Sequence, residues 1–435
     1  MNERKSEASP VTMKHDLKEM RSYLLLWFTQ MLSGLGSAMT AYALVIWSYT
    51  QAGSALRTAL LMVCSYAPYV LCSIFAGALS DRWDKKKTML VCDALAALST
   101  LIVLGLLKND ALRIWHLYLV NGVSGLMNTV QQPASEVAAS ALLKREHYQK
   151  VGGLRYLSNS LNSILTPILA TAVMSLWGID VVIAIDLISF AVAFAVLLLF
   201  IPIPKNQPKA AKESILQSAA AGVRWLKANP GIFHLMLFLA GINLVASMFN
   251  AALPAMVLSK ASETALGTVN TVTGIAMLAG SIPASLLPAP KSRVKAIWYC
   301  LLLSMCTENF FLAFGGSVWV WSLGAVLGWI AIPAMSANLE AVNRLNIPIE
   351  MQGRVFAARN SFQFFTIPVG YFLGGTLVDQ VFEPIMATRT DGLLVQLFGT
   401  GKGSGAAFLF AVLWLMGIAV CLIFRADPHI RKLEK

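Results

Sequence analysis

The stretch Gly77-Ala78-Leu79-Ser80-Asp81-Arg82-Trp83-Asp84-Lys85-Lys86-Lys87 packs its charges into one short turn between two long apolar runs. Charged side chains are costly in hydrocarbon, so the turn marks a membrane face. The whole chain agrees: 57% of its residues are hydrophobic and 13% charged, with a mean hydropathy of +0.65. Soluble domains average about 25% charge. An integral membrane protein is expected.

A bilayer core takes about 20 apolar residues per helix. Twelve such runs lie at 23–47, 58–79, 88–107, 114–132, 153–176, 181–201, 232–256, 265–288, 296–314, 318–339, 354–378 and 406–424. With the N-terminus placed inside, the outer loops hold only Arg57, Lys108, Arg113, Lys260, Arg389 and Lys402 of the 34 basic residues. Cytoplasmic loops carry such an excess, so both termini are expected in the cytoplasm of a cell-membrane protein. The asymmetry also accounts for the net charge of +12 without nucleic acid. The first 22 residues lack the apolar core of a leader peptide, which implies that the first run is kept as a span. All six cysteines fall in apolar stretches without a CxxC pair, and read as small buried hydrophobes. No cofactor or metal is implied.

The expected layout is a tail (1–22), a six-helix bundle (23–201), a linker (202–231), a second six-helix bundle (232–424) and a second tail (425–435). In the linker, Ile215, Ala219, Val223 and Leu226 alternate at helical spacing with Ser218, Arg224 and Lys227, predicting an amphipathic surface helix. The outer connection from Asp379 to Gly405 is read as a cap over the outer mouth or as a loose loop. An internal repeat supports the two halves. Gly152, Asn159, Ser160 and Pro167 recur in order as Gly353, Asn360, Ser361 and Pro368, and Pro133-Ala134 recurs as Pro333-Ala334. Duplicated bundles place a substrate path at their interface, and Pro167 and Pro368 each predict a helix bend.

Twelve spans, two repeats and the charged turn together resemble the major facilitator superfamily. Its turn signature, Gly-x-Leu-x-Asp-Arg-x-Gly-Arg-Lys, is met by Gly77, Leu79, Asp81, Arg82, Lys85 and Lys86, with Asp84 at the second glycine. The Asp-Arg-Trp-Asp-Lys-Lys form, Gln352-Gly353-Arg354-Val355 and Val381-Phe382-Glu383-Pro384 resemble the macrolide-efflux branch, whose members export antibiotics or siderophores. The resemblance implies an all-α fold of two pseudo-symmetric six-helix bundles, working as a monomer by alternating access. It departs in the fifth span, where Asn162, Thr166, Ala170 and Thr171 stand at glycine positions of the antiporter signature, and in the fourth, which has no arginine between His116 and Gln132.

The same resemblance sets Asp81 against the N-terminus of the eleventh span near Gly353 and Arg354, where a carboxylate meets the positive end of a helix. Gly77, Asp81, Arg82, Lys85, Gly353 and Arg354 then form an inner gate; the plainer reading is a topology anchor. Three acids fall within spans. Asp93 is grouped with the gate, whereas Asp186 and Glu308 are candidate proton carriers, although the family architecture puts the sixth and ninth spans on the outer scaffold. Gln30, Asn121, Asn128, Asn243, Asn250 and Gln363 are read either as cavity contacts for an amphipathic small molecule or as interhelical hydrogen bonds. His116 and His234 read as interfacial side chains.

No phosphate-binding loop occurs. The expected activity is therefore gradient-driven export of amphipathic drug-like compounds such as macrolides, in exchange for protons. Export of an endogenous metabolite such as a siderophore is the alternative, and a non-transporting membrane sensor is the alternative of another class. An enzyme is not expected.

Overall fold

The computed structural model describes residues 20–142, 148–203, 215–348 and 362–434, with positions 351, 355 and 358. Every regular element among them is helical. The first six are α1 (Arg21–Ala52), α2 (Ala55–Arg82), α3 (Lys85–Lys108), α4 (Ile114–Ala141), α5 (Tyr148–Trp177) and α6 (Ile179–Phe200). After the linker helix α7 (Ile215–Ala228) come α8 (Pro230–Lys260), α9 (Glu263–Leu286), α10 (Arg293–Phe314), α11 (Val318–Trp329), α12 (Ile332–Asn346) and α13 (Thr366–Thr376). The chain ends in the short α14 (Glu383–Ala387) and α15 (Leu393–Phe398), the long α16 (Ser404–Arg425) and the short α17 (Pro428–Arg431). Ten helical stretches among the described residues are long and apolar enough to cross a membrane. Of the other two expected spans, the fourth forms α4, which carries Asn121, Asn128, Gln131 and Gln132, and the eleventh is described continuously only from Phe362.

Local chemistry sets the ends. Gly53 closes α1 in the left-handed conformation, at φ 58°, with its N–H on Tyr49 O. The side chains of Asp84, Ser262 and Ser292 accept the backbone N–H three residues on, starting α3, α9 and α10. The tenth span is broken at Ile330 and Ala331, since Pro333 lacks the N–H that would reach Trp329. Another interruption lies at Phe365, three residues before Pro368. Beyond α13 the chain does not stop at 378 as expected. It continues through a π-helical turn, Leu377–Phe382, into α14.

In the first bundle α1 packs on α5 and α6, α2 on α4, and α3 on α4 and α6. In the second, α8 packs on α13 and α16, α10 on α11, α12 and α16, and α9 on α11 and α12. Two pairs, α2 with α13 and α5 with α9, form the seam between bundles. Small residues permit close approach where lipid supplies no hydrophobic drive. A Cβ on Gly280 of α9 would stand 1.8 Å from Ile330 O at the break of the tenth span. Leu226 of α7 is buried and Val223 and Trp225 pack against the core, while Arg224 and Lys227 are exposed.

Candidate functional site

The far face, opposite the turn at 82–85, holds the contacts that join the bundles. Ser54 Oγ accepts Arg57 N–H at 3.1 Å and so caps α2. The same hydroxyl donates to Asp379 Oδ2 at 2.5 Å, and Asp379 also accepts the N–H groups of Ala55 and Leu56, both at 2.9 Å. A carboxylate of the second bundle thus completes the N-terminus of a helix in the first, where partial positive charge gathers. Beside it, a Cβ on Gly375 would lie 2.6 Å from Leu56 Cα. Tyr49 Oη donates to Ala255 O at 3.0 Å and meets Ser259 Oγ at 2.7 Å, with Lys402 Nζ 5.5 Å from its ring centroid. The 379–405 connection is ordered around Glu383, whose Oε1 accepts Gly403 and Ala406 N–H at the start of α16. Burial pushes the Glu383 carboxyl above its ordinary range, against the pull of those two amides.

Between mid-membrane and this seal lies a cavity of 560 Å³ on the seam. Tyr42, Asn162, Thr166 and Pro167 line it from the first bundle; Phe249, Asn250, Asn270, Glu308 and Trp329 line it from the second. Among the described residues, Glu308 is its one carboxyl and no lysine, arginine or histidine lines it. Gly328 makes room for that side chain, a Cβ there falling 2.8 Å from Glu308 Cβ. Two buried polar atoms on the lining, Asn162 Oδ1 and Thr166 Oγ1, have no hydrogen-bond partner among the described residues, whereas the Trp329 indole N–H faces the Glu308 carboxyl. Such atoms cost about 1–3 kcal/mol each unless a ligand or water satisfies them. Sequence reasoning passed over Asn162 and Thr166 as mere glycine replacements, although polar residues inside a span are a usable signal.

A second cavity, of 620 Å³, lies within the first bundle and is lined by Gln30, Ser37, Asp93, Asn128, Gln131 and Asp186. Asp93, grouped with the gate on sequence, instead accepts from Gln131 Nε2 at 2.6 Å and Gln30 Nε2 at 3.4 Å. Asp186 accepts from Ser37 Oγ at 2.9 Å. Asn121 and Asn128 share a smaller adjoining cavity with Asp186. Asn243 and Gln363 line neither cavity; Asn243 Nδ2 donates to Gln363 O at 3.1 Å, tying α8 to the chain entering α13. Pro167 is buried within an α5 that runs unbroken from Tyr148 to Trp177, and Pro368 lies inside α13.

At the tail face, the side chains of Gly77, Asp81 and Arg82 and the positions Gly353 and Arg354 lie outside the described residues. Around them, Lys86 Nζ donates to the Leu198 and Ile201 carbonyls ending α6, and the buried Lys85 donates to Trp83 O at 2.9 Å. His234 has the acidic partner its sequence neighbours lacked: Asp427 from the C-terminal tail, 2.6 Å from Nδ1. Burial raises the Asp427 carboxyl, but His234 and the N–H groups of Ile430 and His429 outweigh it and hold the group below its ordinary range. No group of three or more metal-ligating side chains occurs among the described residues.

Residues 26–260, covering the first bundle, the linker and α8, match the family pattern of the Major Facilitator Superfamily. The chain belongs to the Major Facilitator Superfamily. Its relatives include macrolide efflux protein A of Streptococcus pyogenes, 23% identical over 366 residues, covering 82% of this chain and 90% of that one. Enterobactin exporter EntS of Citrobacter koseri is 25% identical over 291 residues, covering 64% and 66% respectively. Among solved structures, a mutant of the nucleoside transporter NupG superposes with a TM-score of 0.66 at 14% identity, covering 93% of this chain and 99% of that one. A bacterial homologue of the iron transporter ferroportin gives 0.67 at 14% identity, covering 94% and 99%. The fold is the all-α major facilitator fold, and the chain is a membrane transporter, not an enzyme, whose relatives include macrolide efflux proteins.

Proposed function

We propose that this transporter exports amphipathic drug-like compounds such as macrolides from the cytoplasm by alternating access, in exchange for protons. The observation that carries the reading is the seam cavity: it lies between the two bundles, mixes Phe249, Tyr42 and Trp329 with amide side chains, and sits below contacts that would have to part for release. A ligand there would meet the unpartnered Asn162 and Thr166 oxygens, with Asn250 and the Glu308–Trp329 pair beside them. Glu308 in the seam and Asp186 in the first bundle are the proposed proton carriers; Gln30, Asn121 and Asn128 line the route to Asp186. Gly77, Asp81, Arg82, Lys85, Gly353 and Arg354 are proposed to close the cytoplasmic face, with both tails on that side. Each single chain carries a complete pathway and works as a monomer.

The test is macrolide and dye uptake into inside-out vesicles with and without a pH gradient. Gradient-dependent accumulation is expected, and its absence across a broad panel overturns the reading. The similarity to an enterobactin exporter favours a second cargo, an endogenous siderophore. Siderophore uptake in the same vesicles, without macrolide uptake, would select it; among the described residues the seam cavity offers an anionic siderophore no basic side chain.

A further inference from the structure

At the tail face of the second bundle a third cavity, of 520 Å³, opens where α8, α10 and α16 meet the C-terminal tail. Among the described residues its charged lining is basic: Lys295 from the first turn of α10, Arg425 ending α16, and Arg431 from α17. Its inner wall is apolar, made by Leu235, Phe238, Trp298 and Phe424. The exposed Tyr299 stands on the same lining, and the exposed Leu422 and Ile423 precede it in the last turn of α16.

Arg425 and Arg431 are both fixed by contacts within the protein. The Arg425 guanidinium sits over the Trp298 ring, 4.4 Å from its centroid, and that indole is itself fixed by donating to Cys421 O at 2.6 Å. The Arg431 guanidinium donates from Nε and Nη2 to Arg425 O at 3.0 and 2.9 Å. Arg431 reaches the cavity because the tail folds back against α8, where the His234–Asp427 pair and the buried Ile430 contact the bundle. Cations at the end of a helix complement its dipole, which explains Arg425 alone. It does not explain why the tail folds back to add Arg431, nor why the three cations surround an apolar hollow.

We infer that this cavity is a binding site for an anionic phospholipid, whose phosphate lies among Lys295, Arg425 and Arg431 and whose acyl chain runs over Phe424 and the exposed Tyr299, Leu422 and Ile423. Guanidinium groups present paired donors that match phosphate oxygens, and basic pockets between spans are the recurring form of headgroup recognition. A small soluble anion would reach the same cations and leave the exposed Tyr299, Leu422 and Ile423 uncovered. The site lies apart from the seam cavity and does not depend on what the transporter carries.

The test uses the full-length chain in detergent, with retained lipid counted by native mass spectrometry and affinity read by titration with phosphatidylglycerol, phosphatidylcholine or inorganic phosphate. Phosphatidylglycerol should bind about tenfold or more tighter than phosphatidylcholine. The pair Arg425→Gln and Arg431→Gln should erase that preference, leaving phosphatidylcholine binding within about twofold. Asp427→Asn, which frees the tail without touching the cavity, should weaken phosphatidylglycerol by a smaller factor. Equal binding of the two lipids by the unaltered chain overturns the proposal, as does a preference that survives both arginine changes. Displacement of the lipid by inorganic phosphate at matched concentration would make it a small-anion site and also overturns it. If the double variant does not fold, Lys295→Gln and the wild-type lipid preference still decide the matter.

Discussion

Ser54 and Asp379 belong to opposite bundles, and one hydrogen bond of 2.5 Å from the Ser54 hydroxyl to Asp379 Oδ2 joins them at the far face. The same carboxylate takes the first two amides of α2, so separating the bundles there leaves a helix N-terminus uncapped. Lost caps cost about 0.5–2 kcal/mol, and one or two kcal/mol shift a two-state balance by about 5- to 30-fold. Asp379→Asn should therefore favour the far-face-open state. A thiol at Leu253→Cys, on the seam cavity, should react faster with a reagent added at that face, in a background lacking the six native cysteines. An unchanged rate would remove Asp379 from the gate.

Glycines inside and outside packed seams should behave oppositely. A Cβ on Gly280 meets backbone atoms of Ile330, which cannot rotate away, whereas one on Gly105 meets nothing within 4 Å. Gly280→Ala should destabilise by about 1–3 kcal/mol, and Gly105→Ala should stabilise by about 0.5–1 kcal/mol through helix propensity. Thermal unfolding of the two variants against the parent checks the sign of each.

The spans could be read from the chain because hydropathy marks them; α1 to α6 overlap the first six expected runs, mostly with longer ends. What escaped was what depends on pairing across long separations. Asp379 looked like the first residue of a loop, since nothing local reveals that Ser54 comes to meet it. Asp93 was assigned to the charged turn by proximity in sequence, while its partners Gln30 and Gln131 come from other helices. Glu308 is a candidate from the sequence, but its place at the seam is not legible there, because the family resemblance sets the ninth span on the outer scaffold and only the small Gly328 lets its side chain line the seam cavity.

The tail should undock in acid. The Asp427 carboxyl lies below its ordinary range in the folded chain, so its contribution to docking is complete above the ordinary carboxylate value, about 3.9, and is lost as pH falls through the shifted one. Hydrogen exchange of residues 428–434 should quicken below that value in the parent, and at all pH values in Asp427→Asn. Exchange that ignores both pH and the substitution would show that apolar contacts such as buried Ile430 hold the tail alone.

The two proposed proton carriers make separable predictions because their surroundings differ. Asp186 shares its cavity with a second acid, Asp93, and is bonded to Ser37, so Asp186→Asn keeps a polar, hydrogen-bonded group and leaves a neighbouring carboxyl in place. Glu308 has no such neighbour on the seam lining, and Glu308→Gln removes every carboxyl from the region where cargo is proposed to sit. Gradient-driven uptake should fall by about tenfold or more in Glu308→Gln, equivalent to about 1.4 kcal/mol of coupling, and by less in Asp186→Asn. Downhill movement of the same compound without a pH gradient should survive in both, since neither substitution closes the cavity. Full gradient-driven uptake in both variants would show that the proton travels elsewhere, with Asp93 the first residue to examine.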